Sequence, residues 1–231
     1  MKPAPPWLKR GLLALLLLAA LWQGWYVGWV IWWKWVDPGM TSFMSQRLDE
    51  LREKNPRAVL RHQWIPYAKI SNHLKRAAIA AEDDKFVDHE GFDWEGIQKA
   101  IEKNQKKGKV VAGGSTITQQ LAKNLFLSPS KTPWRKAQEA MITVWIELFW
   151  DKRRILEVYL NVVEWGEGLF GAEAAARRYF GTTAAALGAE QAARLAVMLP
   201  APRRFEKNPY SAYVSGRTQL ILGRMQYSEV P

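Results

Sequence analysis

The sequence predicts an all-α domain that follows one N-terminal transmembrane helix. Residues 11–33, GLLALLLLAALWQGWYVGWVIWW, contain no charged side chain. From Ser71 almost to the end of the chain, apolar residues recur at helical spacing between residues that cap helices well. No stretch alternates as a convincing strand does and no segment repeats, although the pattern leaves room for a small hairpin.

The apolar run is long enough to cross a bilayer. As a helix, its 23 residues extend about 35 Å, and a hydrocarbon core is about 30 Å thick. The run continues past the small residues at 19–20, which favours an uncleaved anchor over a signal peptide or a soluble core helix. Lys2, Lys9 and Arg10 predict a cytoplasmic N-terminus, and the tryptophans of 25–35 predict an aromatic belt at the other interface.

The chain divides into four predicted segments. A turn at residues 37–39 ends the anchor, and a short helix over 41–54 precedes the prolines at 56 and 66. The predicted segments are a cytoplasmic tail over 1–10, a transmembrane anchor over 11–36, a connector over 37–59 and a helical domain over 60–231.

Capping residues mark the first helices of the domain. Ser71 can cap a helix that runs to about Asp84. A second helix, from about Asp93, ends at Gly108. The segment 108–114 is expected to be poorly ordered without substrate, because its glycines are permissive and the lysines near it repel one another.

The following helices also begin at recognisable caps. The chain should be helical from Ser115, and Thr116 has capping-box spacing with Gln119. Thr132 and the proline after it start a helix that runs to about Trp150. The second half of that helix is apolar on nearly every face, which predicts a place at the centre of the core. Further helices are predicted near 151–159, 171–179, 189–198 and 211–227.

The composition narrows the classes of partner. Lysine and arginine outnumber aspartate and glutamate by 33 to 22, and the resulting net charge of +11 favours a polyanionic partner. A domain held outside the cytoplasmic membrane meets anionic lipid rather than nucleic acid. The chain has no cysteine, which excludes disulfides, thiol nucleophiles and cysteine metal sites, and its three histidines are too far apart to suggest a local metal-binding motif.

The first polar block is AAEDDKFVDHEGFDWEG, residues 80–96. Adjacent carboxylates such as Glu82 and Asp83 most often form only a solvated helix end. Glu82, however, ends a predicted helix whose other positions are small and apolar, so its carboxylate should be partly desolvated. Desolvation raises the pKa of a carboxyl group toward that of a useful general base.

Two further blocks carry polar groups on helices. Residues 113–116, Gly-Gly-Ser-Thr, lead into a helix whose free N–H groups and dipole favour an anion. In the third block Arg135 and Glu139 share a helix face, with Lys136 beside them. Singly, each block is weak evidence of a functional site. An exposed ion pair such as Arg135 with Glu139, for example, is common on helices and is worth under about 1 kcal/mol. The helix after 116 also carries Gln119, Gln120, Lys123 and Asn124.

Four motifs occur together in a fixed order. They are Glu-Asp-x-x-Phe-x-x-His-x-Gly (82–91), Gly-Gly-Ser-Thr-Ile-Thr-Gln-Gln-Leu-x-Lys-Asn (113–124), Arg-Lys-x-x-Glu (135–139) and Ile-Leu-Glu-x-Tyr-Leu-Asn (155–161). With the downstream ARRYFG and EQAARLAVMLPAPRRFEKNP, this set resembles the peptidoglycan glycosyltransferases, glycosyltransferase family 51. That lysozyme-like family is shared by monofunctional biosynthetic transglycosylases and the first domain of bifunctional penicillin-binding proteins. The resemblance covers about residues 60–225.

The resemblance implies that the domain polymerises lipid II, a disaccharide-pentapeptide on undecaprenyl pyrophosphate, into glycan strands for the cell wall and cell shape. Glu82 would be the general base that takes the proton of the acceptor's 4-hydroxyl, which then attacks C1 of the donor. Lys123, Arg135 and Lys136 would stabilise the leaving pyrophosphate, and Glu139 would orient it or assist its departure. The expected catalytic residues are Glu82 and Glu139, and the expected substrate-binding set is Asp83, Phe86, His89, Gly114, Ser115, Thr116, Gln119, Gln120, Lys123, Asn124, Arg135 and Lys136.

Within this set the resemblance implies different tasks. Ser115, Thr116, Gln120 and Asn124 would position the donor. Asp83, Phe86 and His89 would support the site. Glu157, Tyr159 and Asn161 are expected to be structural and to tie helices together beneath the cleft.

The resemblance also implies partners and a location. They are lipid II, the nascent glycan strand and membrane phospholipids, with other cell-wall synthesis proteins as candidates and no nucleic acid. No cofactor is expected to be essential, although a divalent cation, Mg²⁺ or Mn²⁺, is compatible with such a substrate. The expected location is the bacterial inner membrane, with a single pass, a cytoplasmic N-terminus and a periplasmic catalytic domain. Moenomycin is the expected inhibitor.

A transpeptidase activity is not expected. It would need Ser-x-x-Lys, Ser-x-Asn and Lys-Thr-Gly elements. Residues 128–131, Ser-Pro-Ser-Lys, match the first by spacing, but they lie inside the glycosyltransferase region and have no partner elements downstream. The sequence therefore predicts a monofunctional enzyme.

Two other functions compete with polymerisation. A lysozyme-like glycan-cleaving enzyme would also use a glutamate in a helical cleft, but it has no pyrophosphate to bind, so it leaves the Gly-Gly-Ser-Thr block and the basic cluster unexplained. A membrane-anchored scaffold with a basic surface accounts for the net charge and the anchor. It does not account for Glu82 and Glu139.

Two geometric expectations follow. Glu82 and Glu139 should line one cleft, with Glu82 the deeper of the two because the helix around it is apolar. The substrate's lipid must stay near the bilayer, so part of the domain should dip into it. The best candidate is 125–134, LFLSPSKTPW, whose apolar residues Leu125, Phe126, Leu127 and Trp134 lie among cations; packing of these residues into the core is the alternative.

Overall fold

The computed structural model describes residues 5–109, 113–130 and 132–231. Within these ranges the chain is mostly helical, as predicted. The helices are α1 (Pro6–Trp33), α2 (Ser42–Lys54), α3 (Asn72–Glu82), α4 (Trp94–Lys107), α5 (Ile117–Phe126), α6 (Pro133–Phe149), α7 (Lys152–Val162), α8 (Ala172–Phe180), α9 (Ala189–Met198), α10 (Pro202–Phe205) and α11 (Ala212–Met225), with short 3-10 turns at Tyr67–Lys69 and Ala184–Ala186.

A small three-stranded sheet contains the hairpin that the sequence left unplaced. Strands β2 (Glu164–Gly166) and β3 (Leu169–Phe170) pair antiparallel, and β1 (Arg61–His62) pairs parallel to β3 in the order β1-β3-β2. Strands of two or three residues are too short to show alternation in a sequence, which explains why no strand was predicted.

Most predicted caps are present. Gly108 ends α4 in a left-handed conformation with φ of 60°, and Thr116 forms a complete capping box with Gln119 at the start of α5. The prediction that the chain is helical from Ser115 is wrong by two residues, because Thr116 is itself the extended N-cap residue. Helix α3 ends at Glu82 rather than Asp84. Of the segment predicted to be poorly ordered, residues 110–112 lie outside the described residues.

Two groups of helices surround the site. Helix α3 packs against α9 and α11, and α5 packs against α6 and α7. Helix α7 is the central one, since Ile155, Leu156, Val158, Tyr159 and Leu160 are all fully buried.

The expectation that α6 lies at the centre of the core is wrong. Its inner face buries Ile142 and Ile146, but Met141, Val144 and Leu148 are 43%, 44% and 65% exposed. The apolar residues that seemed to surround the helix therefore form one inward and one outward face.

Helix α1 is long and apolar enough to cross a membrane. Its first half is exposed, whereas Tyr26 and Val30 in its second half are 5% and 0% exposed and join the core of the domain. The indole of Trp150 donates to the carbonyl oxygen of Val30 at 2.7 Å. Arg154 binds the end of the helix, donating to the carbonyl oxygens of Trp33 at 2.8 Å and Val36 at 3.1 Å.

Candidate active site

A cleft of about 430 Å³ opens where the C-terminus of α3 faces α5 and α6. One wall carries Glu82, and the other carries Glu139 with its neighbouring cations. The two carboxylates therefore line one cleft, as predicted. The described residues that line it are Ala81, Glu82, Gly113, Ser115, Gln120, Lys123, Arg135, Lys136, Glu139, Leu199 and Pro200.

Glu82 is the last residue of α3 and is half-buried. Its Oε2 accepts a hydrogen bond of 2.6 Å from Nε2 of Gln120. Its Oε1 is buried and has no hydrogen-bond partner among the described residues. Burial raises the pKa of Glu82, while the hydrogen bond from Gln120 and the charge of Lys123 oppose that rise. A carboxylate with one free, poorly solvated oxygen is suited to accept a proton.

Gln120 is itself fixed from behind. Its Oε1 accepts a hydrogen bond of 3.1 Å from the hydroxyl of Tyr159. Tyr159 is fully buried, and burial raises its pKa well above the usual value, so that the hydroxyl stays protonated as a donor. The amide of Gln120 therefore presents its N–H groups to Glu82. Tyr159 was expected to be structural, and it hydrogen-bonds Gln120, the residue that donates to Glu82.

Glu139 lies within a cluster of cations on α6. Its Oε2 accepts from Arg135 at 2.5 Å, and its Oε1 pairs with the ammonium of Lys136. The same ammonium donates to Oγ of Ser115 at 3.1 Å. Glu139 is only 3% exposed, so the expectation that Glu82 is the deeper carboxylate is wrong. Side chains from its own helix cover Glu139, whereas Glu82 stands at an open helix end.

Lys123 projects from α5 between the two carboxylates. Burial lowers the pKa of Lys123, and the nearby Glu139 and Glu82 counteract that effect. Its ammonium lies 5.6 Å from the ring centre of Phe43. Within the described part of the chain it has no ion-pair partner within 4.0 Å, so its charge is available to a ligand of the cleft.

Asp83 connects the base to the start of α5. Its Oδ2 accepts from the backbone N–H of Ile117 at 2.9 Å, and its Oδ1 pairs with Nε2 of His89 at 2.8 Å. Thr116 donates to the carbonyl oxygen of Gly91 at 2.7 Å. Gly91 has a φ of 84°, and a Cβ there would lie 2.6 Å from a methyl group of Thr143. The first motif thus encodes the turn that holds the end of α3 next to the start of α5.

A second, smaller cavity of about 150 Å³ lies on the other side of Glu82. Arg224 of α11 reaches it and pairs with Asp84 at 3.0 Å. Gly114 allows a close approach there, since a Cβ would lie 3.2 Å from Cα of Ile97. Other residues of its lining are Asp83, Asp93, Gly96, Gly113, Ser115 and Thr116.

The predicted site residues therefore divide into three groups. Phe86, His89, Gln119 and Asn124 line neither cavity; Phe86 is fully buried, and Asn124 donates to the backbone of Gln120 at 2.7 Å. Asp83, Gly114 and Thr116 line only the smaller cavity. Those on the main cleft are Glu82, Ser115, Gln120, Lys123, Arg135, Lys136 and Glu139.

The sequence did not indicate a polar network beneath the site. Glu147 of α6 accepts from Thr118 at 2.5 Å and from Lys152 at 2.8 Å, and Lys152 also donates to the carbonyl oxygen of His89 at 2.5 Å. The apolar residues Leu199 and Pro200 on the cleft rim were also missed. The available signal for the polar network was the stretch KRRILE, residues 152–157, because it places Lys152 one helix turn before the fourth motif.

Two of the residues expected to be structural hold the segment that precedes α3. Glu157 accepts from the backbone N–H of Tyr67 at 2.7 Å. The amide of Asn161 bonds both the N–H and the carbonyl oxygen of Ile65, each at 2.9 Å. Both contacts tie α7 to the segment that leads into α3.

The geometry separates two chemical tasks. One wall presents a proton acceptor, the opposite wall presents two cations paired with a buried carboxylate, and Lys123 lies between them. Such a cleft can deprotonate a hydroxyl at one end and stabilise a departing anion at the other.

Comparisons with known proteins agree with this chemistry. The transglycosylase family matches residues 48–226. A biosynthetic peptidoglycan transglycosylase of Dechloromonas aromatica is 62% identical over 231 residues, covering 100% of both chains. Proteins of the same description from Azoarcus sp. and Methylobacillus flagellatus are 62% and 57% identical, covering 100% and 96% of this chain and 100% and 97% of their own. The chain belongs to the transglycosylase family.

Proposed function

We propose that the protein polymerises lipid II into the glycan strands of peptidoglycan and releases undecaprenyl pyrophosphate. The observation that carries the proposal is that Glu82 lines one cleft with the three cations Lys123, Arg135 and Lys136. The names of the full-length relatives support a peptidoglycan transglycosylase.

The proposed reaction is a direct displacement. The free Oε1 of Glu82 accepts the proton of the acceptor's 4-hydroxyl. At the same time the hydroxyl oxygen of the acceptor forms a bond to C1 of the donor. The bond from C1 to the phosphate oxygen breaks, and the pyrophosphate leaves with the electron pair. Lys123, Arg135 and Lys136 stabilise its charge. Gln120 keeps the carboxylate of Glu82 oriented throughout.

The cation cluster favours transfer over glycan cleavage. A cleaving enzyme has a sugar as its leaving group and needs a second carboxyl group that protonates it. In this cleft the second carboxylate, Glu139, is engaged by both Arg135 and Lys136. That arrangement fits a leaving group that is already an anion.

We propose no essential cofactor for this reaction. The described residues contain no group of three His, Asp or Glu side chains placed to hold a metal ion. A divalent cation, Mg²⁺ or Mn²⁺, is compatible with a pyrophosphate substrate.

The proposed location is the bacterial inner membrane, with the N-terminus in the cytoplasm and the domain in the periplasm. The apolar α1 and the basic residues Lys9 and Arg10 before its apolar run support this orientation. Lipid II, the glycan strand and phospholipids are the proposed partners, with other cell-wall synthesis proteins as candidates.

The test is consumption of lipid II by the purified full-length protein in detergent. We expect polymer and undecaprenyl pyrophosphate to form, and moenomycin to block both. Incubation with isolated cell wall separates the alternatives, because a cleaving enzyme would release muropeptides and leave lipid II intact. Folded protein that acts on neither material would point to the scaffold.

A further inference from the structure

We propose that Gln23 of the anchor helix is a positioning residue of the active site, acting through Gln138 on the cation cluster of α6. The inference rests on the proposed function, since it concerns the group that binds the leaving pyrophosphate. It assigns to α1 a task beyond anchoring.

The contact joins two distant parts of the chain. Nε2 of Gln23 donates to Oε1 of Gln138 at 3.2 Å, and Oε1 of Gln23 accepts from the indole of Trp145 at 3.3 Å. Gln138 and Trp145 are seven residues apart, so they share one face of α6. One amide of α1 therefore contacts two residues of α6 that lie about two helix turns apart.

Gln23 stands out in its own helix. Between Arg10 and Lys34 the helix contains one carboxamide and no charged side chain. In an apolar surrounding such an amide is unfavourable unless it is hydrogen-bonded. Gln138 is 6% exposed and its Nε2 has no partner among the described residues, so Gln23 provides the single hydrogen bond of that amide.

Gln138 directly precedes Glu139. Successive residues of a helix point about 100° apart, so one side chain faces α1 while the next faces the cleft. Glu139 in turn holds Arg135 and Lys136. A rotation of α6 about its axis would move all three charged groups relative to Glu82, and the contact with Gln23 opposes that rotation.

Side chains on other faces of α6 also restrain its rotation, since Lys136 donates to Ser115 and Glu147 accepts from Thr118 of α5. The contact with Gln23 adds a restraint from the side of α1. Trp150 bonds the backbone of Val30 at the far end of α6. That hydrogen bond lies about three turns from Glu139, because eleven residues separate them. Near the cluster, the side chain of Gln23 is the polar link between α1 and α6 in the described part of the chain.

The test is a double-mutant cycle in the full-length protein. Gln23→Met and Gln138→Met keep the length of the side chain and remove the hydrogen bond. The readouts are the inhibition constant of inorganic pyrophosphate against lipid II turnover, the KM and kcat for lipid II, and the unfolding temperature. We expect each single variant to raise the inhibition constant about threefold to tenfold and the double variant to raise it no further.

Trp22→Leu is the matched control, because Trp22 is the neighbouring residue and is 56% exposed. It should leave the inhibition constant unchanged. An unchanged constant in Gln23→Met, or effects of the two variants that simply add, would overturn the proposal while wild-type turnover keeps the proposed function intact. If Gln23→Met fails to fold, Gln138→Met interrupts the same contact from the other side. A wild type that neither consumes lipid II nor responds to pyrophosphate would instead remove the proposed function.

Discussion

Nε2 of Gln120 lies 2.6 Å from Oε2 of Glu82, and the opposite side of the same amide is bonded by Tyr159. The carboxylate is thus bound at one oxygen, and its other oxygen has no hydrogen-bond partner among the residues that the structure describes. This arrangement and its counterpart at Glu139 lead to four expected outcomes.

Glu82→Gln should reduce lipid II turnover by about 100-fold to 10,000-fold, since it removes a general base. Folding should persist, because the new amide can still accept from Gln120. Polymer yield and circular dichroism measure the two effects. Turnover within tenfold of the wild type would contradict the role of Glu82.

Gln120→Met should move the acid limb of the pH–rate profile to higher pH. The hydrogen bond from Gln120 lowers the pKa of Glu82, so its loss lets that pKa rise further. The base must be deprotonated to act, and more alkaline solution is then needed. Gln98→Met on the exposed face of α4 is the control and should leave the limb in place. A limb that moves to lower pH would show that Glu82 does not control it.

Glu82→Gln should also raise the unfolding temperature near neutral pH. Burial raises the pKa of Glu82 above its ordinary value of 4.5. The folded state therefore favours the protonated carboxyl, and that stabilisation is full below pH 4.5 and is lost as the pH rises through the folded pKa. The difference between variant and wild type should grow over this range in thermal scans. A difference that is independent of pH would contradict the assignment.

Glu139→Gln should have the opposite effect on stability. The carboxylate is 3% exposed and neutralises two cations. Its removal leaves Arg135 and Lys136 side by side, which should cost about 1–3 kcal/mol of unfolding free energy. That is below the cost for a fully buried pair, because Lys136 is 47% exposed. Chemical denaturation measures it, and an unchanged midpoint would show that the pair is not stabilising.

The outward face of α6 should lie against lipid, in place of most of the segment 125–134. Leu125 and Leu127 are 1% and 8% exposed, so they pack in the core, and Phe126 packs edge-on against Tyr26 and tilted against Trp33 of α1. Trp134 remains 74% exposed, on the helix that also exposes Leu148.

The chain has no cysteine, so single cysteines at 134, 148 and 102 can each carry a spin label. In anionic vesicles the labels at 134 and 148 should be accessible to oxygen, and the label at the exposed position 102 of α4 to a water-soluble quencher. Water-exposed labels at both α6 positions would exclude this face as the membrane contact.

Sequence reasoning located elements well where a local signal exists. The caps at Ser71, Thr116 and Thr132 are short-range hydrogen bonds between neighbours in the chain, and each is present. Such signals depend on a few residues and need no knowledge of the fold.

Contacts between residues that are far apart in the sequence were harder to predict. The exposure of α6 could not be predicted, because two apolar faces with different neighbours look alike in sequence. The order of burial of Glu82 and Glu139 was reversed for the same reason, since it depends on which side chains fold over each carboxylate. The bond from Tyr159 to Gln120 crosses 39 positions, and no local pattern encodes it.

Arg154 has a consequence for how the protein meets its substrate. By bonding the end of α1 it makes the junction between helix and domain stiff, where a flexible linker would let the domain swing. With α1 in a bilayer, the cleft keeps a constant height and tilt. Encounters then reduce to lateral diffusion in a plane, and a lipid-borne molecule that drifts past is already at the level of the opening.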